Sequence, residues 1–548
     1  MTTTSAPAAP ARAFTGTTVA LRLILRLERT LLSVWIVATV ALVAGVAFGI
    51  AALYPTAADR FSYGAATSTI VASHALNGPP VGLTSLGGIA VFEAGWYIAL
   101  AVAALNIVVV ARHSRGAEEL GRLEMLRAGL FGTHANLAAL LAVVVGTDLL
   151  VGAGAATALV VAGAGVEGAV VFGAALATVG VTFAAVTALA AQLTEHVRGT
   201  YAIAFSTLGV AFALRAIGDA GSVSFASWLS PLGWAQAAHA FADNRWWPLF
   251  LAWSVSGLLV VGAFSIEARR DHDAGLLRPR PGPAEGAPGL ASAGALARRS
   301  YRGPAIGWVV AGVGLGAAFG VVGADAEQMA QSSAAALELM GGFTTGDLVD
   351  SYFAMAALFV AILASAGALV AVLRTRVEED SGRADTVLAT PVSRLRWLGS
   401  HVLVAGIVSA LVLVGGGLGL GGAHALRTGE AGAVAEMAGA ALAHLPAVWL
   451  FLAVAVALFG FAPARTSLVW ILFAWSAVVT ILGPTLRLPD AVQDLSPFEH
   501  TPRLPGTAVL GSVGSGASTS LVAVALLVIA AAVVAAAGCV GFDRRDVR

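Results

Sequence analysis

The feature that most limits what this chain can become is the recurrence of apolar runs of about 17 to 27 residues, each long enough for a bilayer span. Twelve such runs lie near 31–52, 88–111, 135–161, 168–191, 201–217, 247–265, 305–323, 351–373, 398–420, 439–461, 466–484 and 519–541. The break between the third and fourth, around Gly163 to Gly168, is the weakest. Buried strands or core helices of a water-soluble fold would be shorter. With 58% hydrophobic and only 11% charged residues, against about a quarter charged in a soluble domain, water is not the main solvent. The expected fold is all-α, a polytopic transmembrane helical bundle of twelve spans.

Net charge is zero, which removes the electrostatic case for nucleic acid. Cys539 is the single cysteine, so neither a disulfide framework nor a thiolate metal site is available. All 31 basic residues are arginine. A phosphate-binding P-loop needs a lysine beside the β- and γ-phosphates, so this chain is not its own ATPase of that type. The polar start, the Arg-bearing stretch and the long first run do not fit a cleaved signal, and the first span is expected to be retained.

A Pro/Gly/Arg-rich segment with no apolar periodicity separates the sixth and seventh runs and reads as a linker. The expected organisation is an N-terminal region and amphipathic helix over 1–30, a six-span half over 31–266, a linker over 267–303, a second six-span half over 304–541 and a tail over 542–548. The halves carry a repeat. RGAEELGRLE from Arg115 follows the second run, and RVEEDSGRAD from Arg376 follows the eighth. Without a gap, Arg115, Glu118, Glu119, Gly121, Arg122 and Glu124 pair with Arg376, Glu379, Asp380, Gly382, Arg383 and Asp385. A weaker echo is WLSPLGW around Ser230-Pro231 and DLSPFEH around Ser496-Pro497. Homologous halves of equal topology are the simplest reading.

Placing the N-terminus, the linker, the C-terminus and the loops after runs two, four, eight and ten on one side collects about 25 arginines there, which the positive-inside rule makes cytoplasmic. Both termini are then inside.

Arg22, Arg26 and Arg29 lie on one face of VALRLILRLERTLL, the pattern of a helix lying in the interface. They either fix topology only or also form an elbow helix touching a cytoplasmic partner. Arg298, Arg299 and Arg302 are a shortened counterpart. In the charged repeat, Arg115–Glu119, Glu118–Arg122, Arg376–Asp380 and Glu379–Arg383 are i,i+4 pairs worth a few tenths of a kcal/mol each. Either these are solvated helices that end a span, or they are paired handles that receive force from a soluble motor.

This layout resembles the ABC-2-type permeases, in particular the twelve-span actinobacterial polyketide-antibiotic and multidrug exporter permeases of the tetronasin-resistance type. The resemblance covers essentially the whole chain and implies a permease subunit without its own ATPase site. That subunit would export hydrophobic or amphipathic compounds with two copies of a separate P-loop ATPase, which would hold ATP and Mg. It further implies that Arg115 to Glu124 and Arg376 to Asp385 couple to the ATPase. The segments at Ser230, Pro231, Ser496 and Pro497 would correspond to external re-entrant gates. WAQAAHAFADNRWWP has no tryptophan-paired counterpart in the second half, which puts equivalent gating in question. The implied location is the bacterial plasma membrane.

Charged residues inside spans are costly, about 2.5 to 3.5 kcal/mol on insertion scales. Asp148, midway through the third run with Ser409 as its repeat partner, and Glu93 near the outer end of the second, either face a substrate cavity or pair with neighbouring polar groups; His444 in the tenth is a similar case. Trp35, Trp96, Trp246 and Trp247 read as an interfacial belt. His239 and Asp243 alone are a weak metal signal, and no nucleophile–base arrangement stands out, so neither a metal nor a catalytic site is expected. The rival reading is a proton-coupled secondary multidrug transporter of six plus six spans. Its charged loops resemble G-x-x-x-D-x-x-G-R, whose first Gly and central Asp are not matched here.

Overall fold

The computed structural model describes residues 13–68, 77–127, 131–219, 224–270, 292–332, 345–482, 489–502 and 517–546, with isolated positions between them. Among these the chain is helical, without strands. Among the described residues twelve helices are long and apolar enough to cross a membrane. They are α1 (Thr17–Leu53), α2 (Leu86–Glu119), α3 (Ala135–Val161), α4 (Val166–Leu193), α5 (Val197–Asp219), α6 (Trp247–Glu267), α7 (Ala293–Gly323), α8 (Val349–Asp380), α9 (Arg394–Thr428), α10 (Gly432–Phe461), α11 (Pro463–Ile481) and α12 (Val522–Arg544). A helix satisfies every backbone N–H and C=O within its own segment, which is why apolar length alone suffices to specify a span. The weak Gly163–Gly168 break is real: α3 and α4 are joined by a tight turn in which Gly163 takes φ +97°.

The chain divides between Gly282 and Pro283 into two compact units. In the first, α4 is the most enclosed helix and packs on α2, α3, α5 and α6, while α1 lies against α3. In the second, α10 packs on α8, α9, α11 and α12, while α7 lies against α9. The order of helix neighbours is thus the same in each. Small residues permit the closest crossings. Gly152 of α3 and Gly173 of α4 face each other so tightly that a Cβ on either would sit 2.3–2.4 Å from the opposite carbonyl oxygen. On α7, Gly312, Gly316 and Gly320 recur every fourth residue against α9, a register that brings backbone onto backbone.

Three expectations are corrected. Residues 17–53 form one helix of 37 residues, about 55 Å at 1.5 Å per residue, not an interface helix followed by a span. No Gly or Pro occurs between Thr17 and Gly45 to break it. Arg22, Arg26 and Arg29 lie on its exposed face, while Ala20, Ile24, Glu28 and Leu32 are buried. The second half starts at Ala293, inside the expected linker, and its helix runs unbroken through Pro304. The C-terminal helix extends to Arg544. Most of the linker lies outside the described residues.

Candidate functional site

The charged turns occupy one end of each unit. In the first, α2 is interrupted at Ser114; Arg115–Glu119 then makes a short helix, Gly121 reverses the chain at φ +67°, and Arg122–Arg127 is helical again. In the second, α8 continues without a break to Asp380, Gly382 takes φ +70°, and Arg383–Leu388 follows. The recurring glycine therefore has a physical reason: both turns need a left-handed residue, where a Cβ is penalised.

The carboxylates do not pair as helix spacing suggests. Glu118 is 2% exposed. Both its oxygens accept from Arg270, just past α6, with Nη1–Oε1 and Nη2–Oε2 at 2.8 Å. Arg115, 1% exposed, meets Glu118 at 3.0 Å and donates from Nε and Nη2 to the Ala191 carbonyl at 3.0 and 2.6 Å. Glu119 turns away to α5, accepting from the Val197 backbone N–H at 3.0 Å and facing His196 Nδ1 at 3.0 Å. This places a carboxylate on a helix N-terminus, where the dipole favours it. Arg122 and Glu124 are exposed, as are Leu120 and Met125 at 64% and 72%.

In the second unit Glu379, 3% exposed, is held by Arg545, just past α12, with both N–O distances 2.7 Å. Arg376–Asp380 is the one expected i,i+4 pair that forms, at 2.7 Å. Arg383 goes to Glu378, not Glu379, at 2.6 Å, and Arg374 reaches the same Glu378 at 3.2 Å. The physical reason for the correction is magnitude. An exposed i,i+4 pair is worth a few tenths of a kcal/mol, whereas a buried bidentate arginine–carboxylate pair forms two charge-assisted bonds in a low-dielectric site. Asp385 is exposed.

Sequence reasoning missed Arg270 and Arg545, although a signal existed: Arg269-Arg270-Asp271 and Arg544-Arg545-Asp546 close the two halves. It also missed Glu28, buried on α1, whose carboxylate binds Arg112 and His113 at the foot of α2. Each unit further ties the start of its third helix to the end of its sixth. His134 Nδ1 meets Glu267 at 2.8 Å, and Arg394 donates to the carbonyls of Asp543 and Arg545 at 3.2 and 2.6 Å.

At the opposite end the two Ser-Pro segments are built alike. Ser230 donates to the Ala211 carbonyl of α5 at 2.7 Å and caps Pro231–Gln236 by accepting from Leu232 and Gly233 N–H. Ser496 reaches the Ser476 carbonyl of α11 at 3.4 Å and Thr480 Oγ1 at 2.7 Å, before the single turn Pro497–His500. In the first unit this end also holds a small pocket of Phe92, Trp96, Phe172, Gln236 and His239. His239, Phe241 and Asn244 all have positive φ, strain that the packing of Phe241 onto Gly87 and Gly168 sustains. Burial pushes the His239 imidazole below its ordinary range, with Arg245 acting in the same sense against Asp243. His239 and Asp243 stand 3.6 Å apart, and no group of three metal-binding side chains occurs among the described residues.

Asp148 is buried among α2, α3 and α4, where Oδ1 accepts from Asn106 at 2.8 Å and the carboxyl sits over Gly180. It is thus enclosed within the first unit. Glu93 lies exposed on a π-turn, Val91–Gly95, and accepts from Tyr63. His444 is buried, with Nδ1 at 2.7 Å from Thr501 Oγ1. Trp246 and Trp247 are exposed, and Trp247 stacks on Trp228 at 5.2 Å.

Twelve helices among the described residues long and apolar enough to cross a membrane define a multi-pass helical membrane protein. The chain is 38% identical over 540 residues, 98% of its length, to the multidrug efflux system permease protein Rv1217c of Mycobacterium tuberculosis, of which 96% is covered. Residues 290–543 match the family described as the C-terminal domain of multidrug efflux system permease Rv1217c. The chain belongs to this multidrug efflux permease family.

Proposed function

We propose that this chain is the membrane-spanning subunit of an ATP-driven exporter of the ABC-2 type, resembling the tetronasin-resistance permeases. It works with two copies of a separate P-loop ATPase that hold ATP and Mg. It resides in the bacterial plasma membrane with both termini and both charged turns in the cytoplasm. The observation that carries this reading is the charged turn built once per half, with one acid anchored inside the protein and with Arg122, Glu124, Asp380, Arg383 and Asp385 left on the surface. Anchored inside and charged outside, such a turn can receive force from a soluble motor at two equivalent places. The absence of lysine from the chain supports a separate ATPase, because a P-loop needs one. The relative's printed role in multidrug efflux supports hydrophobic or amphipathic drugs as cargo, as does an interior that is apolar over most of each span.

The test is purification in mild detergent from the native host. A Walker-motif ATPase recovered at two copies per permease, and lost on reversing the exposed charges of both turns, is the expected result. Recovery of the chain alone, together with drug transport that needs a proton gradient and no ATP, would overturn the reading in favour of a secondary transporter.

A further inference from the structure

The acid that recurs at the centre of the charged repeat is gripped, in both halves, by an arginine just beyond the last span of the same half. Glu118 is held by Arg270 across 152 residues of chain, and Glu379 by Arg545 across 166. The two intervals differ, so the shared pairing does not follow from a constant register. Both contacts are two-pronged, with every N–O distance at 2.7 or 2.8 Å. A forked contact fixes orientation as well as distance, which a lysine cannot do. Each arginine is also held from behind: Arg270 Nε donates to Gln192 Oε1 at 2.7 Å, and the Arg545 guanidinium lies 4.9 and 5.0 Å from the rings of Phe459 and Phe542.

Resting on the exporter reading above, we propose that Arg270 and Arg545 are positioning residues that make each charged turn move as one body with the last span of its half, so that a pull on the turn is delivered to α6 or α12. Around this shared clasp the rest of each turn is free to differ, as it does. Because the buried carboxylates cannot be released without stranding a charge, the link holds through a transport cycle.

The experiment uses the full chain with its ATPase in proteoliposomes. Arg270→Lys, Arg545→Lys and the double variant keep the charge and lose the fork. Drug transported per ATP hydrolysed should fall on the order of fivefold or more in the double variant, while ATPase attachment stays within about twofold. A second measurement needs no ATPase: with Cys539→Ser as background, spin labels at Leu120→Cys and Arg269→Cys, both exposed, should give one narrow distance that broadens on Arg270→Lys. An unchanged transport-to-hydrolysis ratio, or an unchanged label distance, overturns the proposal. Failure to recover any ATPase sinks the exporter reading at the purification step, and the label distances still decide whether the arginine binds turn to span.

Discussion

The two charged turns share a sequence pattern and a clasp, yet they are held to different degrees. The first is fastened from several sides. Arg115 is buried against the Ala191 carbonyl, Glu119 sits on the N-terminus of α5, Glu118 joins Arg115 to Arg270, and Glu28 of α1 binds the residues just before the turn. The second is fastened by Glu379 to Arg545, and its other charges pair locally: Arg376 with Asp380, and Arg374 and Arg383 with Glu378. Arg376 is 30% exposed on its side chain where Arg115 is 1% exposed. Both turns therefore have the buried carboxylate–arginine bond and the left-handed glycine, while the surrounding charges form a socket in the first half and a self-paired helix in the second. The first turn is thus tied to the rest of its unit at more points than the second.

The largest effect expected from that contrast is on Glu118→Ala. It strands Arg270 and Arg115 in buried surroundings and should cost about 3 to 5 kcal/mol, seen as a fall in the melting temperature of the detergent-purified protein. Glu379→Ala should cost less, since Arg545 is 17% exposed on its side chain and keeps its two aromatic neighbours. Equal losses would break the comparison. Next comes Arg115→Ala, which removes charged hydrogen bonds to a carbonyl and should cost about 1.5 to 3 kcal/mol. Arg376→Ala removes a partly exposed pair worth about 0.2 to 1 kcal/mol. A ratio near one in the same melting assay would show that the second turn is as firmly seated as the first.

Gly121→Ala and Gly382→Ala should each cost about 1 to 2 kcal/mol, because both force a Cβ into left-handed backbone. Here the halves should agree, and amide exchange in the two turns would sharpen the point by speeding up equally. A further contrast lies at the far end of each unit. Ser230→Ala loses a helix cap and should cost about 1 kcal/mol, whereas Ser496→Ala, which caps no N–H among the described bonds, should cost less. Protease cleavage of the segments after α5 and α11 measures that difference.

Much of this was legible before any coordinates. The third apolar run coincides with α3 at both ends, and the others were placed to within a turn or two except where a helix continues past the apolar stretch, as at Arg22 to Arg29 and Arg374 to Asp380. Gly121 and Gly382 stood out only as members of the charged repeat; the expected pairs Glu118–Arg122 and Glu379–Arg383 ran through them, and the left-handed reversal there appears only in the fold. Arg270 and Arg545 could not be assigned, even though Arg-Arg-Asp recurs at the end of each half, because nothing in a short charged motif says which distant carboxylate it will meet. Asp148 was visible as a charge inside a span, but its enclosure against Asn106 and Gly180 was not.

By itself the sequence determined the spans and their number. Both are settled within a few turns of chain, by apolar length. Only the tertiary structure decided which charges pair. The competing partners there lie 152 and 166 residues away, and burial makes two bonds to such an arginine outweigh any neighbour four residues along the same helix.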